Sequence, residues 1–151
     1  MEFTGPVIFL TAFLTMIASQ VTKMALITLK NRKFNLKSLF ELSGMPSSHT
    51  ASATALTVSV YLAQGFSVLF AVLLMGLIYV ISGVLFDKWS FGNHAKIINE
   101  VRQFLKEEGY KAKKHKQLME SHVREEWGHT PAEIVSGFIL GLIVALVISA
   151  I

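Results

Sequence analysis

Pro46-Ser47-Ser48-His49-Thr50-Ala51-Ser52-Ala53-Thr54-Ala55 is the stretch on which the fold turns. A lysine-bearing polar loop ends at Pro46, and a run of small and hydroxyl residues continues to Ala63. Small residues let helix backbones approach closely, so this run reads as a helix inside a bundle, not one facing lipid. A second opening of the same kind, Gly128-His129-Thr130-Pro131-Ala132-Glu133, introduces an apolar run to Ile151. A histidine at the mouth of a membrane helix is costly, and two on the same side point to a shared site. Helix N-termini carry partial positive charge, so two of them among lysines would suit a phosphate.

The rest of the chain fits a membrane setting. Hydrophobic residues make up 52% of the 151 residues and charged ones 16%, with mean hydropathy +0.53. Soluble domains of this size carry more charge and lack unbroken apolar runs. The absence of cysteine excludes a disulfide framework and thiol chemistry. The start, Met1-Glu2-Phe3, has no basic n-region and leads into an apolar stretch too long for a signal peptide, so a retained transmembrane helix is expected. No lipidation motif is visible.

Four apolar spans are expected, at about 6–29, 46–63, 66–86 and 132–151, within one membrane domain covering 1–151. The expected class is an all-α integral membrane protein with four transmembrane helices. A charged helical segment at about 87–128, cytoplasmic or interfacial, separates the third from the fourth. In it, Ile97, Ile98, Val101, Phe104 and Leu105 fall at helical spacing and predict a helix over 93–108, its apolar side on the membrane interface or the bundle. A second helix is predicted over 112–127, stopped by Gly128. Gly137 and Gly141 form a G-x-x-x-G, a candidate close-packing face and the face through which a homodimer would form.

With four crossings, both termini share one side with the short Gln64-Gly65 turn. All 14 lysines and arginines lie on the other side or at span ends facing it. The positive-inside rule makes that side cytoplasmic and puts both termini outside, or in the lumen of a eukaryotic host; a multi-pass protein of a bacterial cell membrane is expected. Lys23, Lys30, His49, His129 and Glu133 all map to that face from three different spans. Phosphoryl transfer needs cationic clamps, a nucleophile and a proton donor for the leaving group, and this set can supply them.

These residues resemble the type 2 phosphatidic acid phosphatase superfamily, and specifically its divergent, short bacterial and plastid branch. The superfamily pattern runs K-x6-R-P, then P-S-G-H, then S-R-x5-H-x3-D. Pro46-Ser47-Ser48-His49 resembles the second part with Ser48 for glycine, and His129-Thr130-Pro131-Ala132-Glu133 resembles the end of the third with glutamate for aspartate. Lys23 and Lys30 have the spacing of the first, with Lys30 at the arginine position. Gln20-x-x-Lys23, Gly44-Met45-Pro46-Ser47-Ser48-His49 and Gly128-His129-Thr130-Pro131 look like the branch's own signatures, and the resemblance covers about 20–141. One departure stands out. Where the branch is expected to carry a Y-D-x-x-G-V-R-R-like run, this chain has Tyr79-Val80-Ile81-Ser82-Gly83-Val84-Leu85-Phe86, without acid or arginine. Arg102, Arg124 or Lys88 would have to supply the charge, none at the family spacing, and a lysine does not reproduce arginine's bidentate contact.

The resemblance implies a metal-independent lipid-phosphate phosphatase without a cofactor. His129 would be the nucleophile, forming a phosphohistidine. Glu133 would hold its other ring nitrogen, and His49 would protonate the leaving alkoxide. Lys23, Lys30, Ser47 and Ser48 would bind phosphate oxygens. The substrate would be a polyprenyl or diacylglycerol phosphate whose tail stays in the bilayer. The alternative is a catalytically impaired relative that binds anionic lipid heads or acts as a membrane interaction or transport protein.

Simpler readings exist for several of these residues. Thr130-x-x-Glu133 is a capping box, and Pro46 and Pro131 suit the first turn of any helix. His115, His122 and His129 recur every seven residues, but Gly128 interrupts the helix a metal site would need. The basic run Lys111-x-Lys113-Lys114-x-Lys116 serves topology at least as well as anionic lipid. Nucleic acid is not an expected partner, because basic residues alternate with acids and no reading module is present.

Overall fold

A computed structural model describes residues 4–32, 44–109, 121–123 and 130–151. Its four helices are α1 (Gly5–Asn31), α2 (Ser48–Gln64), α3 (Val68–Glu107) and α4 (Pro131–Ser149), with no strand among the described residues. The protein is all-helical, as expected. By length and composition three helices suffice to cross a membrane: α1 over Gly5–Leu29, α3 and α4. The remaining one, α2, has 17 residues, or about 25 Å of helix against roughly 30 Å of hydrocarbon. It lies inside the bundle, packed on all three others.

The bundle is apolar outside and small or polar within. Phe9, Phe66, Val68, Val72 and Ile143 are exposed, whereas Thr11, Thr15, Ser19 and Lys23 of α1 and Ser47, Thr50, Thr54 and Ser59 on or beside α2 are buried. In water this would be unstable. In lipid the outer face has its solvent, and helices associate by close packing and hydrogen bonding. The hydroxyls on α1 mostly satisfy themselves: Thr11 donates to the Val7 carbonyl at 2.7 Å, Thr15 to Thr11 at 2.7 Å and Ser19 to Met16 at 2.7 Å.

Antiparallel α2 and α3 form a hairpin. Gly65, at φ +62°, ends α2, and the Ser67 hydroxyl accepts from the Phe70 N–H to cap α3. Tyr61, Phe66 and Phe70 close the turn, with ring centroids 5.1–5.5 Å apart. The parallel pair α2 and α4 is the tightest contact. A Cβ on Gly137 would lie 2.5 Å from the Ser47 carbonyl oxygen, and one on Gly141 2.3 Å from that of Ala51. The G-x-x-x-G face is thus filled within the chain by Ser47, Ala51 and Thr54. That corrects its expected use between two copies, because α2 brings its own small residues to the same face.

The second correction concerns α3. A span ending near 86 and a separate helix from 93 were expected; instead 40 residues form one helix. Residues 87–92 contain no proline, and the lone Gly92 costs only about 1 kcal/mol, too little to stop propagation. Forty residues of helix reach about 60 Å, twice the hydrocarbon thickness, so α3 continues well past one membrane surface. The predicted 112–127 helix lies largely outside the described residues, but 121–123 are not helical. They sit against α3, with the Val123 N–H donating to Asn99 Oδ1 at 3.0 Å and Asn99 Nδ2 donating to the Val123 carbonyl at 2.8 Å.

The glycine packing gives a direct test. Gly141→Ala should lower stability in detergent by about 1–3 kcal/mol through overpacking. Gly76→Ala, where a Cβ meets nothing within 4 Å, should be neutral or stabilise by up to about 1 kcal/mol. Thermal unfolding of both variants decides it; equal behaviour would mean that α2 and α4 do not meet at Gly141.

Candidate phosphate site

The end of α1 and the starts of α2 and α4 come together at one end of the bundle. Lys23 is the fourth member of the buried row Thr11, Thr15, Ser19, Lys23 and is fully buried (0% exposed). Its stem lies on Gly44, where an added Cβ would be 3.3 Å from Lys23 Cδ and 3.4 Å from Cγ. Gly44 also has φ +121°, which a residue with a side chain rarely adopts. Glycine there both turns the chain into Pro46 and makes room for the lysine. An ammonium carried on so buried a stem needs polar company.

Ser47 is the N-cap of α2 and is fully buried. Its hydroxyl accepts from the Thr50 N–H at 3.4 Å and from the Thr50 hydroxyl at 3.1 Å. Its own N–H donates to the Glu133 carbonyl at 2.9 Å, which fixes the N-terminus of α2 beside the first turn of α4. Ser48, also buried, accepts from Gln20 Nε2 at 3.5 Å. Gln20 sits one turn before Lys23, and its Oε1 is buried with no hydrogen-bond partner. This glutamine was legible only as part of the Gln20-x-x-Lys23 signature. A carboxamide deep in an apolar span is the signal that should have promoted it to the site.

His49 is in the first turn of α2 and exposed at this end of the bundle. Glu133 makes the capping box with Thr130: the Glu133 N–H donates to the Thr130 hydroxyl at 3.2 Å, and Glu133 Oε2 accepts from the Thr130 N–H at 3.2 Å. The capping reading of the sequence is therefore realised. His129, immediately before that cap, and the side chain of Lys30 lie outside the described residues, as do Arg124 and the side chain of Lys88. Of the metal-site histidines weighed above, His115 lies outside too, and His122 stands 3.5 Å from Asn99 Nδ2. Arg102, considered as a replacement for the family arginine, donates to the Ser121 carbonyl.

Two helix N-termini side by side and a buried lysine offer an anion both positive potential and directed hydrogen bonds. Fold and geometry together define a small all-helical membrane protein with a buried polar cluster at one end of its bundle. The chain belongs to the divergent PAP2 family, whose profile matches residues 5–144. It is also 30% identical over 149 residues to the uncharacterized membrane protein YuiD of Bacillus subtilis (strain 168), covering 93% of this chain and 92% of that one. No solved structure matches the chain. Family membership thus agrees with the resemblance read from the three signatures.

Gly44→Ala should cost about 1–3 kcal/mol, since a left-handed backbone is strained by any side chain. Gly5→Ala, in open space, should leave stability unchanged. Chemical denaturation in detergent measures both, and a harmless Gly44→Ala would remove the reason given for glycine beside Lys23.

Proposed function

We propose that this protein is a metal-independent phosphatase acting on a lipid phosphate, a polyprenyl or diacylglycerol phosphate, with the phosphate held at the cytoplasmic surface and the tail in the bilayer. The observation that carries the reading is the meeting of Lys23, Gly44, Ser47 and the start of α4 at one end of the bundle. Parts of the three separated signatures thereby lie at the same end of the bundle, which supports the reading. Lys23 and the first-turn N–H groups of α2 would hold the phosphate oxygens, with Lys30 two turns beyond. His129 would attack phosphorus to form a phosphohistidine while the P–O bond to the lipid breaks. His49 would give its proton to the departing alkoxide and then take one from the water that hydrolyses the intermediate. Glu133 would orient the His129 ring as well as cap α4. Ser47, whose hydroxyl is committed to Thr50, would contribute its position as N-cap more than its oxygen.

One observation favours a second reading, a relative that binds the lipid phosphate head without turning it over. The stretch 79–86 carries no cation, and Arg102, the described arginine on the extension of α3, is engaged with the Ser121 carbonyl. Arginine clamps stabilise charge that develops in phosphoryl transfer, and their loss lowers turnover more than binding.

Purified protein in detergent is expected to release inorganic phosphate from polyprenyl or diacylglycerol phosphate in the presence of a chelator. His129→Ala should abolish release, and Lys23→Met should reduce it about 10²-fold or more. Binding of the lipid without release would select the second reading, and wild-type turnover by His129→Ala would rule out the histidine mechanism.

The sidedness rests on the lysines and arginines and has its own test. The chain has no cysteine, so single-cysteine variants are clean reporters. In intact bacterial cells a membrane-impermeant maleimide should label Phe66→Cys, in the α2–α3 turn, and reach Glu107→Cys only after permeabilisation. The reverse pattern would place the pocket outside.

A further inference from the structure

Of the three candidate spans, α3 is the least covered by its own chain. Only 6% of its apolar window is buried, against 22% for α1 and for α4. One side is occupied. It packs on α2, where Leu77 is buried and the Thr57 hydroxyl donates to the Leu73 carbonyl at 3.4 Å. Buried Ala95, and Arg102 with its bond to the Ser121 carbonyl, continue that side beyond the span. The opposite side is bare. Val72, Tyr79, Phe86, Ile97, Val101 and Phe104 are all exposed, and at 3.6 residues per turn they fall within about 60° of one another around the axis.

This bare face has a seven-residue period. Gly76, Gly83, Ser90, Ile97 and Phe104 recur every seventh residue, and so do Val72, Tyr79, Phe86 and Asn93. The two series alternate by fours and threes, the spacing of a seam between two helices wound left-handed about each other. At Glu100 the apolar series shifts by one residue, to Val101. Within the span the first series is small and the second large, so large residues of one helix find room over the glycines of another. Among the described residues no contact explains those glycines: a Cβ on Gly76 or Gly83 would meet nothing within 4 Å. Each nevertheless costs a helix about 1 kcal/mol relative to alanine.

Lipid covers the first half of the face but not the second, because a helix that crosses the membrane carries its continuation away from it. Ile97 already stands about 15 Å along the helix from Phe86, where the apolar run ends. We propose that the whole face is the interface of a parallel homodimer, with α3 of one copy lying along α3 of a second. Copies inserted with the same orientation run parallel, and a two-fold axis along the membrane normal sets each residue of the stripe against its twin. Asn93, exposed and in the seam just past the span, suits a twin. A carboxamide both donates and accepts, so two of them satisfy each other, and a single asparagine in such a seam fixes register and strand number. The size is also right. Residues 72–104 extend about 50 Å. A helix contact roughly 10 Å wide over that length covers on the order of 500 Å² of each copy, about 1,000 Å² in all, which is where specific pairs begin. The pairing expected of Gly137 and Gly141 thus moves from α4 to α3, and the polar clusters of the two copies open on the same membrane surface. None of this depends on the phosphatase reading.

The chain has no cysteine, so single-cysteine variants test the seam in native membranes under mild oxidation. Ile97→Cys should form a disulfide-linked dimer at least tenfold faster than Gln103→Cys, which is exposed on the charged flank of the same helix. Adding Gly83→Leu, which fills the seam within the span, should slow cross-linking at 97 at least tenfold. Adding Phe104→Glu, which puts charge into the seam outside the membrane, should do the same. Circular dichroism of the purified variants should show unchanged helix content; if leucine at 83 disturbs the fold, the Phe104 variant decides alone. A face that serves lipid or another protein would cross-link no faster at 97 than at 103, and that result overturns the proposal. Cross-linking at 97 that survives Phe104→Glu at the wild-type rate overturns it too.

Discussion

Backbone meets backbone where α2 crosses α4, and that close approach fixes nearly everything else. Gly137 sits over Ser47 and Gly141 over Ala51, at separations that no Cβ could occupy. The Ser47 N–H then finds the Glu133 carbonyl at 2.9 Å, a backbone hydrogen bond between the starts of two helices. In hydrocarbon an unpaired N–H is costly, so this bond and the packing around it support each other. Because it lies at the first residues of both helices, it sets their N-termini level. Two positive helix ends side by side follow from a packing requirement. The phosphate proposed for this site would meet a potential the fold already supplies.

The same packing explains why the interior is polar. Helices this close leave room for serine, threonine, alanine and glycine but not for leucine. Hydroxyls returned to carbonyls of their own helix are inexpensive in such a space. The row Thr11, Thr15, Ser19, Lys23 extends this pattern to its limit: the same face of α1 that accepts a hydroxyl residue at three turns accepts a lysine at the fourth, because Gly44 gives way to its stem. Thr54 Oγ1, Ser59 Oγ and Gln20 Oε1 are buried without partners. The first two lie along α2 away from the pocket, and the third lies at it. Only Gln20 is one turn from a buried cation, which is why it belongs with the site and the others with the packing.

How much of this could be read from the chain differs from element to element, for physical reasons. The helical class, the family and the convergence of Lys23 with Pro46-Ser47-Ser48-His49 were legible because short motifs record local chemistry, and the alternation of spans brings their ends together. The continuity of α3 was not legible. A fall in hydropathy at Asp87 marks the end of an apolar run but not of a helix, because a helix is stopped by proline or caps and not by a change of solvent. The G-x-x-x-G was recognised as a packing face, but a pattern of glycines does not say whose backbone fills it. The complement on α2 was equally visible in Ser47, Ala51 and Thr54. Asn99 was invisible, since a carboxamide that grips a backbone leaves no spacing rule behind.

Glu133 shows how much of a helix start one residue can fix. Its backbone N–H and one carboxylate oxygen close the capping box with Thr130, and its carbonyl receives Ser47. Each of these fixes the start of α4. A carboxylate has two oxygens and about four lone-pair sites, so a cap on Oε2 does not exhaust it. Glutamate in place of the superfamily's aspartate is consistent with this double duty. The extra methylene lets the side chain curl back to its own helix start, as a capping box requires, while the residue keeps its position one turn from the histidine. In the proposed mechanism the residue that caps α4 would also be the one that orients the His129 ring.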